Sequence, residues 1–211
     1  KGMLDLSNFP LGQMQVANGK LYFCANDSVH GAELWCTDGT AANTHIVTDL
    51  IPGSTGADPS YLTAYNTKLC FQATNDSTKG WYITDGTDTG THLLAQYITT
   101  LNSDHAVVND KLYFLADSLV TPGWHALWVT DGTAAGTSMV RHVYFTFTQY
   151  SYESYYSNFL VAYANKLYFG AADNLWVSDG TYAGTMLLKT LATEPDLCCT
   201  PTQIQNFGGK L

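Results

Sequence analysis

Charge is scarce in this sequence, and positive charge is scarcest. Charged residues make up 13% of the 211 positions, roughly half the usual share, while hydrophobic residues make up 45%. Nine Lys and Arg stand against eighteen Asp and Glu, for a formal net charge of −9, and Arg141 is the only arginine. A nucleic-acid surface needs clustered Lys and Arg to displace counterions from phosphates, so that partner is excluded. A polybasic membrane contact fails for the same reason. No apolar run approaches the roughly 18 residues of a membrane-spanning helix, so no membrane insertion is expected.

Constellations that carry chemistry are also missing. The cysteines, Cys24, Cys36, Cys70, Cys198 and Cys199, lack the spacing of a metal site, and the six histidines form no His-x-x-x-His pair. No nucleophile-elbow motif is present. Glu33, Glu153 and Glu194 are the only glutamates and none recurs in register, which disfavours a two-carboxylate glycosidase pocket. These patterns predict no catalytic residue, no metal and no cofactor.

What is present is aromatic and periodic. Fourteen Tyr, nine Phe and five Trp, with many Thr and Val, favour strands over helices. Four Asp-Gly-Thr turns recur: Asp38-Gly39-Thr40, Asp85-Gly86-Thr87, Asp131-Gly132-Thr133 and Asp179-Gly180-Thr181. Their aspartates stand 47, 46 and 48 residues apart, a length at which one supersecondary unit repeats in propellers. Lys20-Leu21-Tyr22-Phe23 recurs as Lys68-Leu69-Cys70-Phe71, Lys111-Leu112-Tyr113-Phe114 and Lys166-Leu167-Tyr168-Phe169, each after two turn-forming residues such as Asn18-Gly19. Such pairs suit tight hairpins, which need positive φ.

The repeat unit therefore reads as strand A, tight turn, strand B, loop, strand C, Asp-Gly-Thr turn, strand D. Strand C carries three successive apolar residues, as in Leu127-Trp128-Val129, which predicts burial on both faces. The turn aspartates read as acceptors for backbone N–H groups; a calcium loop would concentrate more acidic ligands. The fold class predicted is all-β, a β-propeller-like array of four-stranded antiparallel blades. Four full repeats, at about 12–51, 60–98, 105–143 and 159–191, form one repeat domain over 1–211. Partial blades are expected at both ends, residues 1–6 and 202–211, as in a segment of a longer polypeptide.

Glu33-Leu34-Trp35-Cys36-Thr37-Asp38-Gly39-Thr40 resembles the bacterial ELWxxDGT repeat, as does Lys20-Leu21-Tyr22-Phe23 before it. The likeness departs at Trp81-Tyr82, where the Leu-Trp pair is altered, and at Asn43, where Gly is usual. It implies blades in a large secreted or surface protein, with no general activity assigned to the family.

Three further features shape the functional expectation. The sequons at Asn26 and Asn75 follow the same strand in successive repeats and suggest glycosylation of a secreted, extracellular chain. Tyr144, Phe145, Phe147, Tyr150, Tyr152, Tyr155 and Tyr156 crowd one D-to-A connection and suit sugar stacking or protein contacts. A Cys24–Cys36 bridge is conceivable, although a simple hairpin register does not align the two, and Cys198 or Cys199 suits a bridge between molecules. The reading that gathers these is a non-enzymatic extracellular structural module of a cell-surface or fibre-like assembly, partnered by itself or another extracellular protein. The alternatives are a glycan- or ligand-binding propeller and, less favoured, a propeller glycosidase.

Overall fold

A computed structural model of the chain describes residues 14–75, 78–97, 105–117, 125–143, 160–171 and 174–190. Residues 1–6, the aromatic stretch from Tyr144 to Tyr156, Cys198, Cys199 and residues 202–211 lie outside the described residues. The described residues form four four-stranded antiparallel sheets, one per repeat, each with its strands in chain order, and contain no α-helix. Accordingly none of their helices is long and apolar enough to cross a membrane.

Sheet 1 comprises β1 (Met14–Ala17), β2 (Lys20–Asn26), β3 (Ala32–Thr37) and β4 (His45–Thr48). Sheet 2 comprises β5 (Ser60–Tyr65), β6 (Lys68–Asn75), β7 (Thr78–Thr84) and β8 (His92–Tyr97). Sheet 3 holds β9 (His105–Val108), β10 (Lys111–Asp117), β11 (His125–Thr130) and β12 (Ser138–Val143). Sheet 4 holds β13 (Leu160–Tyr163), β14 (Lys166–Ala171), β15 (Asn174–Ser178) and β16 (Met186–Thr190). The chain divides into two compact units, Lys1–Gln96 with sheets 1 and 2, and Tyr97–Leu211 with sheets 3 and 4.

Each unit has its own core. In the first it gathers Tyr22, Leu34, Cys36, Val47, Phe71 and Tyr82; in the second, Tyr113, Leu127, Val140, Val143 and Phe169. The cross-strand register repeats with the sequence. Tyr22 stands opposite Cys36, Tyr113 opposite Val129 and Tyr168 opposite Val177, so aligned motifs occupy aligned places. One residue along, Phe114 stacks on Trp128 at 6.4 Å between centroids and Phe169 on Trp176 at 6.3 Å. Paired aromatics of this kind stabilise a sheet beyond the area they bury.

Two expectations need correction here. The apolar run of strand C is buried throughout only in sheet 2, at Trp81, Tyr82 and Ile83; in the other sheets Leu34, Cys36, Leu127 and Val129 are buried, but Trp35, Trp128 and Trp176 are half-buried. The register of strands C and D shifts at the Leu-Trp step in sheets 1, 3 and 4, and a bulge there re-aims the side chains beside it. Cys24 and Cys36 form no bridge, because Cys24 pairs in register with Leu34 and Cys36 with Tyr22. Cys24, Cys36 and Cys70 are buried free thiols.

Candidate functional site

Antiparallel order sends each sheet's two ends to different fates. The A–B hairpins and the Asp-Gly-Thr turns share one end; the B–C loops and D-to-A connections share the other.

The turn end is uniform. Oδ1 of Asp38, Asp85, Asp131 and Asp179 accepts the backbone N–H of the Thr two residues on, at 2.9–3.0 Å, and that Thr's hydroxyl at 2.7 Å. These bonds hold the four carboxyls below the usual range, Asp38 at about 2. The hydroxyl just before each Asp (Thr37, Thr84, Thr130, Ser178) accepts the Gly N–H at 2.9–3.0 Å. It also bonds a second Thr hydroxyl seven residues on, at 2.6–2.9 Å. The unusual Asn43 closes its turn by donating Nδ2–H to Asp38 Oδ2 at 2.6 Å. At the equivalent Gly90, Gly136 and Gly184 the carboxylate packs where a Cβ would stand. In all four turns one carboxylate oxygen and both hydroxyls are engaged in holding the turn. This is structural chemistry.

The connection end is different at sheet 1. Residues 49–59, between β4 and β5, are stitched to both sheets of the first unit. Ala57 and Asp58 both donate to the Ala32 carbonyl, at 2.9 and 3.0 Å, and Thr74 of β6 donates to the Ala57 carbonyl at 2.8 Å. Gly31 and Gly56 meet so closely that neither position has room for a Cβ. Beneath the connection lies Glu33, fully buried, whose Oε1 accepts from Ala57 N–H at 3.0 Å and Ile51 N–H at 3.4 Å. Burial pushes its carboxyl up to about 7, against the opposing hydrogen bonds from Ile51, Leu50 and Ala57.

Above this anchor sit groups that could meet a ligand. In the β2–β3 loop, Asp27 Oδ2 lies 2.7 Å from His30 Nδ1, while Asp27 Oδ1 accepts from the backbone of Val29 and His30. Partial desolvation of Asp27 is outweighed by those bonds, which lower its carboxyl to about 2; the same contact raises His30. The result is a surface carboxylate–imidazole pair. Asp58 and Tyr61 hold positive φ, +49° and +52°, and a bulge separates Ser60 from Thr63. Strained backbone at a bulky residue is uncommon and clusters where proteins bind or react.

Of the residues singled out in the sequence, Asn75 is exposed at the end of β6 and Asn26 is half-buried at the end of β2, its Oδ1 accepting from Ser28 N–H at 2.7 Å. In the sequence Glu33 stands out only as a glutamate and the first residue of a repeat motif, and His30 only as one of six histidines. The signal that marks Glu33 is its place in strand C, where the other repeats have Gly80, Ala126 and Asn174. Among the described residues no three His, Cys, Asp or Glu side chains are grouped to hold a metal ion.

No protein-family model and no curated protein matches this chain significantly. Among solved structures it is similar to oligopeptidase B from Leishmania major, at 14% identity with a TM-score of 0.51, covering 87% of this chain and 27% of that one. It also matches an exo-beta-1,3-galactanase from Phanerochaete chrysosporium, at 9% identity and a TM-score of 0.41, covering 82% of this chain and 48% of that one. An alpha-L-arabinofuranosidase from Clostridium thermocellum matches at 16% identity and a TM-score of 0.37, covering 89% and 74%. The chain spans about a quarter of the length of the peptidase. The likeness to the peptidase is one of fold, and the repeats are propeller-like. The expectation of a non-enzymatic extracellular structural module is corrected by the first of these comparisons, since the fold it matches is that of part of an enzyme.

Proposed function

We propose that the four sheets are blades of a hydrolase's β-propeller, and that this part of it holds substrate against the connection end. The observation that carries the reading is the contrast between the two ends. The turn-end Oδ1 atoms and hydroxyls bond within their own turns, whereas the 27–31 and 49–61 segments carry a half-buried Asp27–His30 pair and positive-φ Asp58 and Tyr61 on an anchored base. Binding groups are commonly set on loops that a rigid scaffold positions. The likeness in fold to a peptidase supports hydrolysis as the setting. On this reading Glu33 is a positioning residue, since a fully buried carboxyl touches no substrate.

The test is an amide-shift titration of the protein with a set of short peptides and a set of neutral oligosaccharides. We expect one class to bind, with shifts confined to residues 27–31 and 49–61 and lost in His30→Ala. Binding by neither class, or shifts centred on the Asp-Gly-Thr turns, would overturn the reading.

An extracellular location is proposed on the two sequons alone. Peptide mass spectrometry of natively produced protein should find sugar on Asn26 and Asn75; unmodified asparagines at both would remove the support.

A further inference from the structure

The seams inside the two units are built alike. The Tyr22 hydroxyl and Lys20 Nζ meet Gly86 of the following sheet, and the Tyr113 hydroxyl meets Gly180. Val47 and Val140, the extra residues at the strand D register shift, are buried in the same cores, at 3% and 8% exposure. From the other side each core receives a strand A leucine, Leu62 or Leu160, and the motif phenylalanine, Phe71 or Phe169. A seam therefore joins the tyrosine face of one sheet to the glycine face of the next.

Sheet 4 repeats the tyrosine face without its cover. Tyr168 is half-buried, Lys166 is exposed, and Leu188, in the register-shift position of Val47 and Val140, is 51% exposed. Sheet 1 repeats the glycine face without its cover. Gly39 has open space where Gly86 and Gly180 receive a tyrosine hydroxyl, and Leu21 is half-buried where Leu69 and Leu167 are fully buried. Met14 pairs with Phe23 as Leu160 pairs with Phe169, yet it is 45% exposed against 7%. Val177 and Phe23, on the same two faces, are already buried, so what is missing is cover for Tyr168, Leu188 and Met14.

We propose that these faces are the two halves of one seam between molecules: sheet 4 of one copy docks on sheet 1 of a second copy, with Tyr168 against Gly39. The occupant is a second copy because this chain carries both halves, each built from the residues that pack the seams within its units. Lys166 is brought to the Asp38-Gly39 turn as Lys20 is brought to the Asp85-Gly86 turn, and the charges that meet are opposite. The two faces differ, so the contact is head-to-tail rather than a symmetric pairing of one face with itself. It stands whether or not the connection end holds substrate.

Sedimentation equilibrium of the unaltered chain across roughly 1–100 μM tests the docking. We expect the weight-average mass to rise above that of the monomer with concentration. Leu188→Asp and Met14→Asp each put a charge on one contact face and should each weaken association about tenfold or more. The two variants spoil opposite faces, so mixing them should recover a one-to-one pair that neither forms alone, which also shows that both are folded. Should either variant fail to fold, amide shifts of the unaltered protein still decide: Gly39, Tyr168 and Leu188 should move together with concentration. A monomer throughout, shifts indifferent to concentration, or a mixture of folded variants no more associated than its parts would overturn the proposal. Association lost in Leu188→Asp but untouched in Met14→Asp would overturn it too, by pairing sheet 4 with sheet 4.

Discussion

The Tyr22 hydroxyl on β2 lies against Gly86 in the Asp-Gly-Thr turn of the next sheet, 2.5 Å from where a Cβ on Gly86 would stand. Tyr113 and Gly180 repeat the arrangement in the second unit. Tyr22 and Tyr113 are almost fully buried as a result, at 1% and 4% exposure. Gly39, the equivalent glycine of sheet 1, has open space where its Cβ would point. One motif residue therefore does two jobs. It turns its own chain and receives the neighbouring sheet.

That difference can be measured. Gly39 and Gly86 have nearly the same φ, +95° and +93°, so alanine at either stores about the same backbone strain, about 1–3 kcal/mol. Gly86→Ala should lose more stability than Gly39→Ala by urea unfolding, because only it meets Tyr22. Tyr22→Phe should recover part of the excess, and equal losses at the two glycines would refute the seam.

Arg141 holds the second unit's seam by other means. Its Nη1 donates to the Thr185 carbonyl at 2.6 Å and the Tyr182 carbonyl at 3.3 Å, and its guanidinium lies 4.7 Å from the Tyr182 ring centroid. Arg141→Ala should cost about 1–3 kcal/mol, since charged donors to carbonyls are among the stronger hydrogen bonds. Arg141→Lys should recover little, because the planar fork is lost. The acceptors are neutral, so the loss should persist at high salt, in contrast to a surface ion pair. A loss that disappears in 1 M salt would contradict this assignment.

The turn carboxylates and Glu33 act on stability in opposite directions. Folded values for Asp38, Asp85, Asp131 and Asp179 are depressed, so their contribution is present above the ordinary 3.8 and fades as pH falls below it. Glu33 is raised, so its contribution fades as pH rises through about 7. Thermal melts should therefore show greatest stability between about pH 4 and 5. Asp131→Asn should weaken the acid limb and leave the neutral limb unchanged.

The three described thiols should be inert in the folded protein. Burial raises Cys24 and Cys70 to about 12 and raises Cys36 as well, which leaves almost no thiolate to react. Iodoacetamide should label none of them in native buffer and all three in urea. Native labelling at Cys36 alone would show that strand β3 opens locally.

Much of this architecture was legible in the chain, because its determinants are local. An Asp, a Gly and a Thr in succession make a turn through bonds spanning at most a few residues, and alternating strand and turn chemistry follows the chain directly. The four sheets, their strand order and the position of each Asp-Gly-Thr turn follow from that periodicity. The candidate site was far less visible. Glu33 is part of the repeat motif, and nothing in its neighbours in sequence shows that residues 51 and 57 fold back over it.

The repeat, the strands and the turns were thus determined by the sequence itself, through short-range bonds that recur every 46 to 48 residues. Tertiary structure alone decided which recurring residues became contacts. Thr48 reaches Asp88 across the first seam and Arg141 reaches Thr185 across the second, though the aligned positions carry different chemistry. It likewise decided that one glutamate lies buried under the backbone of residues 51 and 57. Such pairs are 18 to 44 residues apart in the chain, and their meeting depends on how one sheet packs against the next, which a pattern repeated within each sheet does not specify.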